Sequence, residues 1–166
     1  MNKQIEVIPF AAALGAAAVG LFVYLLDRSP SSVYFIPEWV SITNNLYPVF
    51  GQMGYHLPTF IHVYVFILLT FTVTQPSTVR VYPICIGWFA VDSLFELAQL
   101  TPVAQWIAGH VPAWFTGVPF LENTATYFLA GTFDYLDLIS IAMGTAAAYL
   151  TIRWNHREGN LNAHEK

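Results

Sequence analysis

Four apolar runs, separated by polar or proline-bearing stretches, organise this chain. The first, Val7 to Leu26, contains no charged residue and closes on Asp27, Arg28, Ser29 and Pro30; an apolar run of about 20 residues is what a helix needs to cross the hydrocarbon core of a bilayer. The second opens at Pro58, whose missing amide hydrogen suits a first helical turn, and runs to about Val73. The third extends from about Val81 to Leu100, between the polar stretch Thr74 to Arg80 and the stop at Thr101 and Pro102. The fourth opens near Thr132 as N-cap and continues to Ile152, ahead of a charged tail from Arg153 to Lys166. The pattern predicts an all-α integral membrane protein, a single membrane domain over residues 1–166 built as a bundle of four transmembrane helices. Small residues recur every fourth position in the first span (Ala12, Ala16, Gly20) and in the fourth (Ser140, Gly144, Ala148), which lets neighbouring helices approach closely.

The two connections on one side of this bundle are long, Asp27 to Leu57 and Thr101 to Gly131, and they are aromatic rather than hydrophilic. Tyr34, Phe35, Trp39, Tyr47, Phe50 and Tyr55 lie in the first, and Trp106, Trp114, Phe115, Phe120, Tyr127 and Phe128 in the second. Amphipathic rings favour the headgroup level, so short interfacial helices along the membrane surface are expected there. Placing both termini in the cytoplasm puts Lys3, Arg80, Arg153, Arg157 and Lys166 inside and only Arg28 outside, as the positive-inside rule requires. Without organelle signals, the expected address is a bacterial inner membrane, with the aromatic connections facing outward.

Composition agrees with the hydropathy pattern. Hydrophobic residues make up 56% of the 166 and charged residues only 10%, with a mean hydropathy of +0.54, whereas soluble domains carry roughly 25% charged residues. Lys3 ahead of an apolar run has the outline of a signal peptide, but the run is long for one and reads as a retained first span. A formal charge of −4 without a basic stripe argues against a nucleic-acid partner. The lone cysteine, Cys85, lies inside the third span and reads as packing.

Against this apolar background the polar residues stand out. Ionisable groups inside a membrane cost several kcal/mol by various scales and are functional candidates by default. Asp92, Glu96 and Gln99 are spaced by four and three, which stacks them on one helical face. His62 stands about one turn inside the outer end of the second span, and Asp134 and Asp137 occupy the first turns of the fourth. Three spans thus deliver polar groups to one level. Each has a plainer reading: Asp134 as a helix cap, His62 as a satisfied interior histidine, and Asp92 as a deeper interhelical hydrogen-bonding residue. Glu96 with Gln99 is the hardest to explain structurally. His56 and His110 fall in the outer connections and read as interfacial, while His156 and His164 belong to the tail.

The order of Leu57, Pro58, Thr59, Phe60, Ile61, His62, then Phe95, Glu96, Leu97, Ala98, Gln99, then Thr132, Phe133, Asp134, Tyr135, Leu136, Asp137 with Gly144 following resembles the VanZ-like membrane proteins. The resemblance covers about Leu57 to Tyr149 and implies a small polytopic bacterial protein with an outward-facing polar site, in a family linked to glycopeptide-antibiotic resistance. By position it carries the site onto His62, Glu96, Gln99 and Asp137, with Asp134 as an addition. Two features depart from that family: the stretch Glu122 to Leu136 holds no basic residue where an arginine is common, and Ser140 and Ile141 follow Asp137 where an asparagine is common. Without the arginine there is no obvious anion clamp.

Three classes of function fit. In the first, the protein binds or processes an envelope lipid or other amphiphile, with His62, Glu96 and Asp137 as candidate acid and base groups, Gln99 and Asp134 supporting them, and the aromatic connections holding the ligand. In the second, it is a non-catalytic accessory subunit joined to a larger membrane protein. In the third, His62, Glu96, Asp134 and Asp137 bind a divalent metal ion. Haem held by His62 with His56 or His110 is a minor variant, and transport through four spans without inverted repeats is less well supported.

Overall fold

A backbone in hydrocarbon must satisfy its amides and carbonyls within its own segment, and each apolar run accordingly folds as a helix. A computed structural model describes residues 7–27, 49–74, 81–119 and 121–164, with side chains described as far as Arg157. Tyr34, Phe35, Trp39 and Tyr47 of the first aromatic connection lie outside the described residues. The helices are α1 (Val7–Asp27), α2 (Met53–Thr74), α3 (Val81–Leu97), α4 (Thr101–His110), α5 (Thr124–Ala130) and α6 (Tyr135–His164), with 3-10 turns at Ala113–Phe115 and Leu121–Asn123.

Among the described residues, α1, α2 and α6 as far as Arg157 are each long and apolar enough to cross a membrane; α3 and α4 qualify only together, bent by 92° at their junction. Where hydropathy predicts four spans there are thus three helices of sufficient length, or four if the bent pair is one span. The bend has a local cause. Past Leu97 the chain tightens, with Gln99 N–H donating to Glu96 O and Leu100 N–H to Leu97 O. Pro102 then lacks the hydrogen that would continue the helix, and its ring would meet the carbonyl four residues back. Gln99 consequently sits in a turn rather than on the helical face it was expected to share with Asp92 and Glu96.

Other boundaries also move. α2 starts at Met53, not Pro58, so Pro58 lies inside the helix and His56 belongs to it. α6 starts at Tyr135 rather than near Thr132, because the Asp134 carboxylate accepts the Leu136 amide at 2.8 Å and caps it. Its far end continues through the expected tail to His164. The second aromatic connection contains short helices and 3-10 turns between Thr101 and Ala130.

Cross-helix contacts set the topology. The Asp27 carboxylate accepts the amides of Val49 and Phe50 at 2.7 and 2.8 Å, holding the end of α1 beside the start of α2. His62 meets Asp92 and Trp88 donates to Thr70, making α2 and α3 antiparallel. Glu96 reaches Asp134 at one end and Tyr82 pairs with Tyr149 at the other, making α3 and α6 antiparallel. Val7 and the Arg153 region of α6 therefore lie at the same end. α2 is central, contacting α1, α3 and α6. Gly144 allows its closest approach to α6: a Cβ there would sit 2.5 Å from the Phe60 carbonyl oxygen and 2.5 Å from Val63. Gly144 and Ala148 of the expected small-residue stripe are buried; on α1 the buried face is Pro9, Ala13, Gly20 and Val23, so only Gly20 of its stripe is fully covered.

The core of Ala13, Val63, Ile67, Leu68, Phe71, Val81, Cys85, Ile141, Ala148 and Ile152 fills the bundle away from the α1–α2 turn. Cys85 is buried in it, as expected of a packing residue. Phe10, Leu14 and Phe22 on α1, Ile86 and Phe89 on α3, and Ile139, Met143 and Leu150 on α6 are exposed. So much exposed apolar surface is compatible with lipid as the surrounding solvent.

Candidate functional site

The central position of α2 places one of its faces opposite α3 and the start of α6. His56, Thr59 and His62 recur at intervals of three along that face, with Phe66 one turn further on. From α3, Trp88, Asp92 and Glu96 project in a column at intervals of four. Both columns, His56 apart, border a cavity of about 730 Å³, which Tyr24 of α1, Tyr127 of α5, Gly131, Thr132 and Asp137 also line.

Two histidine–carboxylate pairs stand here. His62 Nδ1 lies 3.1 Å from Asp92 Oδ2. The imidazole is 54% exposed and the carboxylate 7%, so the aspartate is buried behind a ring that opens toward the cavity. An ionised carboxylate only accepts, so this pairing puts the histidine proton on Nδ1 and leaves Nε2 as a lone-pair acceptor. The second pair joins His56 Nδ1 to Asp137 Oδ1 at 2.9 Å, with the Thr59 hydroxyl donating to the same oxygen at 3.2 Å. Both partners are more covered than His62 is.

Glu96 is nearly buried and is held differently. The Asp134 backbone N–H donates to its Oε1 at 2.7 Å, and the Gln99 side-chain amide donates to Oε2 at 3.4 Å. It therefore ties the end of α3 to the segment leading into α6. Gly131 makes room for this latch, because a Cβ there would lie 2.5 Å from Gln99 Oε1.

Aromatic rings form the apolar wall. The Phe66 ring lies 4.4 Å from the His62 ring, tilted by 58°, and stacks on Trp88 at 4.6 Å, and Phe95, also on the wall, stacks on Phe128 of α5 at 6.0 Å. The cavity thus combines a polar face and a continuous aromatic face, the combination that small-ligand sites use for orientation and contact area.

Of the residues proposed from sequence, His62, Glu96, Gln99 and Asp137 border this one cavity. Asp134 does not; its side chain caps α6 and its backbone holds Glu96. Asp92, read as an interhelical hydrogen-bonding residue, does bond His62 across α2 and α3, and it also lines the cavity. His56, taken as interfacial, pairs with Asp137. Reading Pro58 as the helix start hid His56, although its interval of three from Thr59 and of six from His62 carried the signal. His110 stays with its own helix, its Nδ1 on the Trp106 carbonyl and its ring against the Trp106 indole, and His56 and His62 share one helix, so no facing histidine pair for haem forms from these residues. Among the described residues no three His, Cys, Asp or Glu side chains come together in a way that could hold a metal ion; His62, Glu96, Asp134 and Asp137 do not converge as a ligand set.

No protein-family model, no curated protein and no solved structure matches this chain.

Proposed function

We propose that this multi-pass membrane protein holds the polar head of an envelope lipid or other amphiphile in the cavity between α2, α3 and α6, with His62 as the group that accepts a proton or hydrogen bond from it. One observation carries the reading: the half-exposed His62 ring, oriented by buried Asp92, faces a cavity of about 730 Å³ that the rings of Phe66, Trp88 and Phe95 also line. A buried carboxylate behind a histidine fixes its tautomer and the orientation of its ring. Asp137, Thr59 and Gln99 supply further polar contacts, and Phe66, Trp88 and Phe95 contact the start of an apolar tail. Glu96 is a positioning residue, since its bonds go to Asp134 and Gln99.

The sidedness belongs to the same proposal. With Arg153 and Arg157 cytoplasmic, the cavity end faces outward, and the bent α3–α4 pair supplies the fourth crossing. The order His62, Glu96-x-x-Gln99, Asp137 supports a VanZ-like kinship and, with the lack of organelle signals, a bacterial inner-membrane address.

Native mass spectrometry of the protein extracted in mild detergent tests the reading. A retained lipid is expected on the wild-type chain and its loss in His62→Ala, Asp92→Asn and Trp88→Leu. A lipid-free wild-type protein, or equal retention in all three variants, overturns it.

A further inference from the structure

The ionisable groups around the cavity are lopsided. Carboxylates of Asp92, Glu96 and Asp137 line it together with the His62 imidazole, and among the described residues neither lysine nor arginine does. His56 adds a second imidazole through its contact with Asp137. The arginines nearest in sequence on α6, Arg153 and Arg157, begin sixteen residues past Asp137, about 24 Å along the helix axis. A phosphate or carboxylate head would meet like charge on entering, without the guanidinium fork that ordinarily holds such groups.

The bonding pattern sharpens the point. The side-chain contacts of Asp92 and Asp137 engage one oxygen of each, Oδ2 and Oδ1 respectively. A carboxylate has about four lone-pair positions, so acceptor capacity remains on both. His62 Nε2 is an acceptor too when Nδ1 donates to Asp92. The polar face is therefore rich in acceptors, and the rings of Phe66, Trp88, Phe95 and Tyr127 border the same volume, where aromatic quadrupoles can attract a cation. Carboxylates and aromatic faces around one volume suit an ammonium group: the anions balance its charge, the acceptors take its N–H bonds and the rings contact its carbons.

We propose that the cavity selects an amphiphile with a cationic, amine-bearing head and discriminates against phosphate and carboxylate heads. This inference rests on the amphiphile reading above. It assigns the chemical class of head group at the same site, from the carboxylates and rings that surround it.

Three single-chain probes of equal tail length separate the possibilities: dodecylammonium, dodecyl phosphate and dodecyl glucoside, in competition for the full-length protein, read by native mass spectrometry. Dodecylammonium is expected to bind about tenfold or more tightly than dodecyl phosphate and several-fold more tightly than the glucoside. Asp92→Asn and Asp137→Asn should each narrow that preference. Thr132→Arg adds a guanidinium at an exposed position on the cavity rim, where it threatens folding little, and should turn the preference toward dodecyl phosphate. Equal or tighter binding of dodecyl phosphate or the glucoside to the wild type overturns the head-group assignment while leaving the amphiphile reading standing. Failure of all three probes to bind saturably overturns both. An ammonium preference that survives unchanged in Asp92→Asn, Asp137→Asn and Thr132→Arg also overturns it, because that preference would then arise outside the cavity.

Discussion

The two ends of the bundle use polar residues in opposite ways. Away from the cavity, neutral groups join helices around an apolar core: Tyr64 meets Thr151 at 3.1 Å and Tyr82 meets Tyr149 at 2.9 Å. At the cavity end, ionisable groups pair as His62–Asp92 and His56–Asp137, and they border open volume rather than closing it. Neutral hydroxyl pairs cost little to place in a low-dielectric interior and hold helices in register. Charged pairs cost more, and the paired carboxylate must be satisfied on all sides. Finding the costly kind beside a cavity and the cheap kind in the packed half separates a site from a scaffold.

Substitutions that disturb packing alone should break the scaffold and leave the site's selectivity untouched in whatever fraction folds. The largest loss is expected for Gly144→Val. Its Cβ would meet the Phe60 carbonyl oxygen, a backbone atom that cannot rotate away, so α2 and α6 must separate at a cost of about 3 kcal/mol. Reversible unfolding in mixed detergent micelles measures it, and an unchanged midpoint would show that the α2–α6 contact is looser than this geometry.

Next comes Ile67→Ala, in the fully buried core. In water such a truncation loses both transfer and cavity terms, but a helix unfolded in lipid or detergent is already out of water. Only packing is lost, so about 2 kcal/mol is expected, the low end of the usual range. Ligand retention normalised to folded protein should not change.

The reverse pattern is expected for His62→Ala. The ring is half exposed and, among the described residues, its polar contact is to Asp92; water in the cavity reaches that carboxylate once the ring is gone, so the stability change should stay below about 1.7 kcal/mol, the upper end for membrane side-chain hydrogen bonds. Retention of amphiphile should nonetheless fall by about tenfold. A stability loss as large as that of Ile67→Ala would move His62 from the site into the scaffold. The smallest effect belongs to Tyr64→Phe, which deletes one partly buried hydroxyl contact: about 0.6 kcal/mol of stability, with retention unchanged in the same mass-spectrometric measurement.

Much of this division was legible before any coordinates. Helical spacing put Asp92 and Glu96 in one column, and hydropathy placed His62, Glu96 and Asp137 near corresponding ends of their helices. Where the reading went astray, a local signal had two meanings. Pro58 suits a helix start and is also tolerated a little further in, so the extra turn carrying His56 was missed. Asp134 and Asp137 share a spacing of three, yet one side chain turns back to cap Leu136 while the other turns inward to His56 and Thr59. Gln99 stayed at the cavity although its helix had ended, because the tightened turn after Leu97 still directs it toward Glu96.

The sequence alone determined that the apolar runs are helices and that polar residues gather near one end of them, because both follow from hydrogen bonding and a repeat of 3.6 residues within a single segment. Which polar group meets which was decided by the tertiary structure. The pairing of His62 with Asp92, of His56 with Asp137 and of Glu96 with the Asp134 backbone depends on the register and crossing of α2, α3 and α6. That register comes from contacts between segments far apart in the chain, such as Gly144 against Phe60 and Gly131 against Gln99, and no periodicity within one helix encodes it.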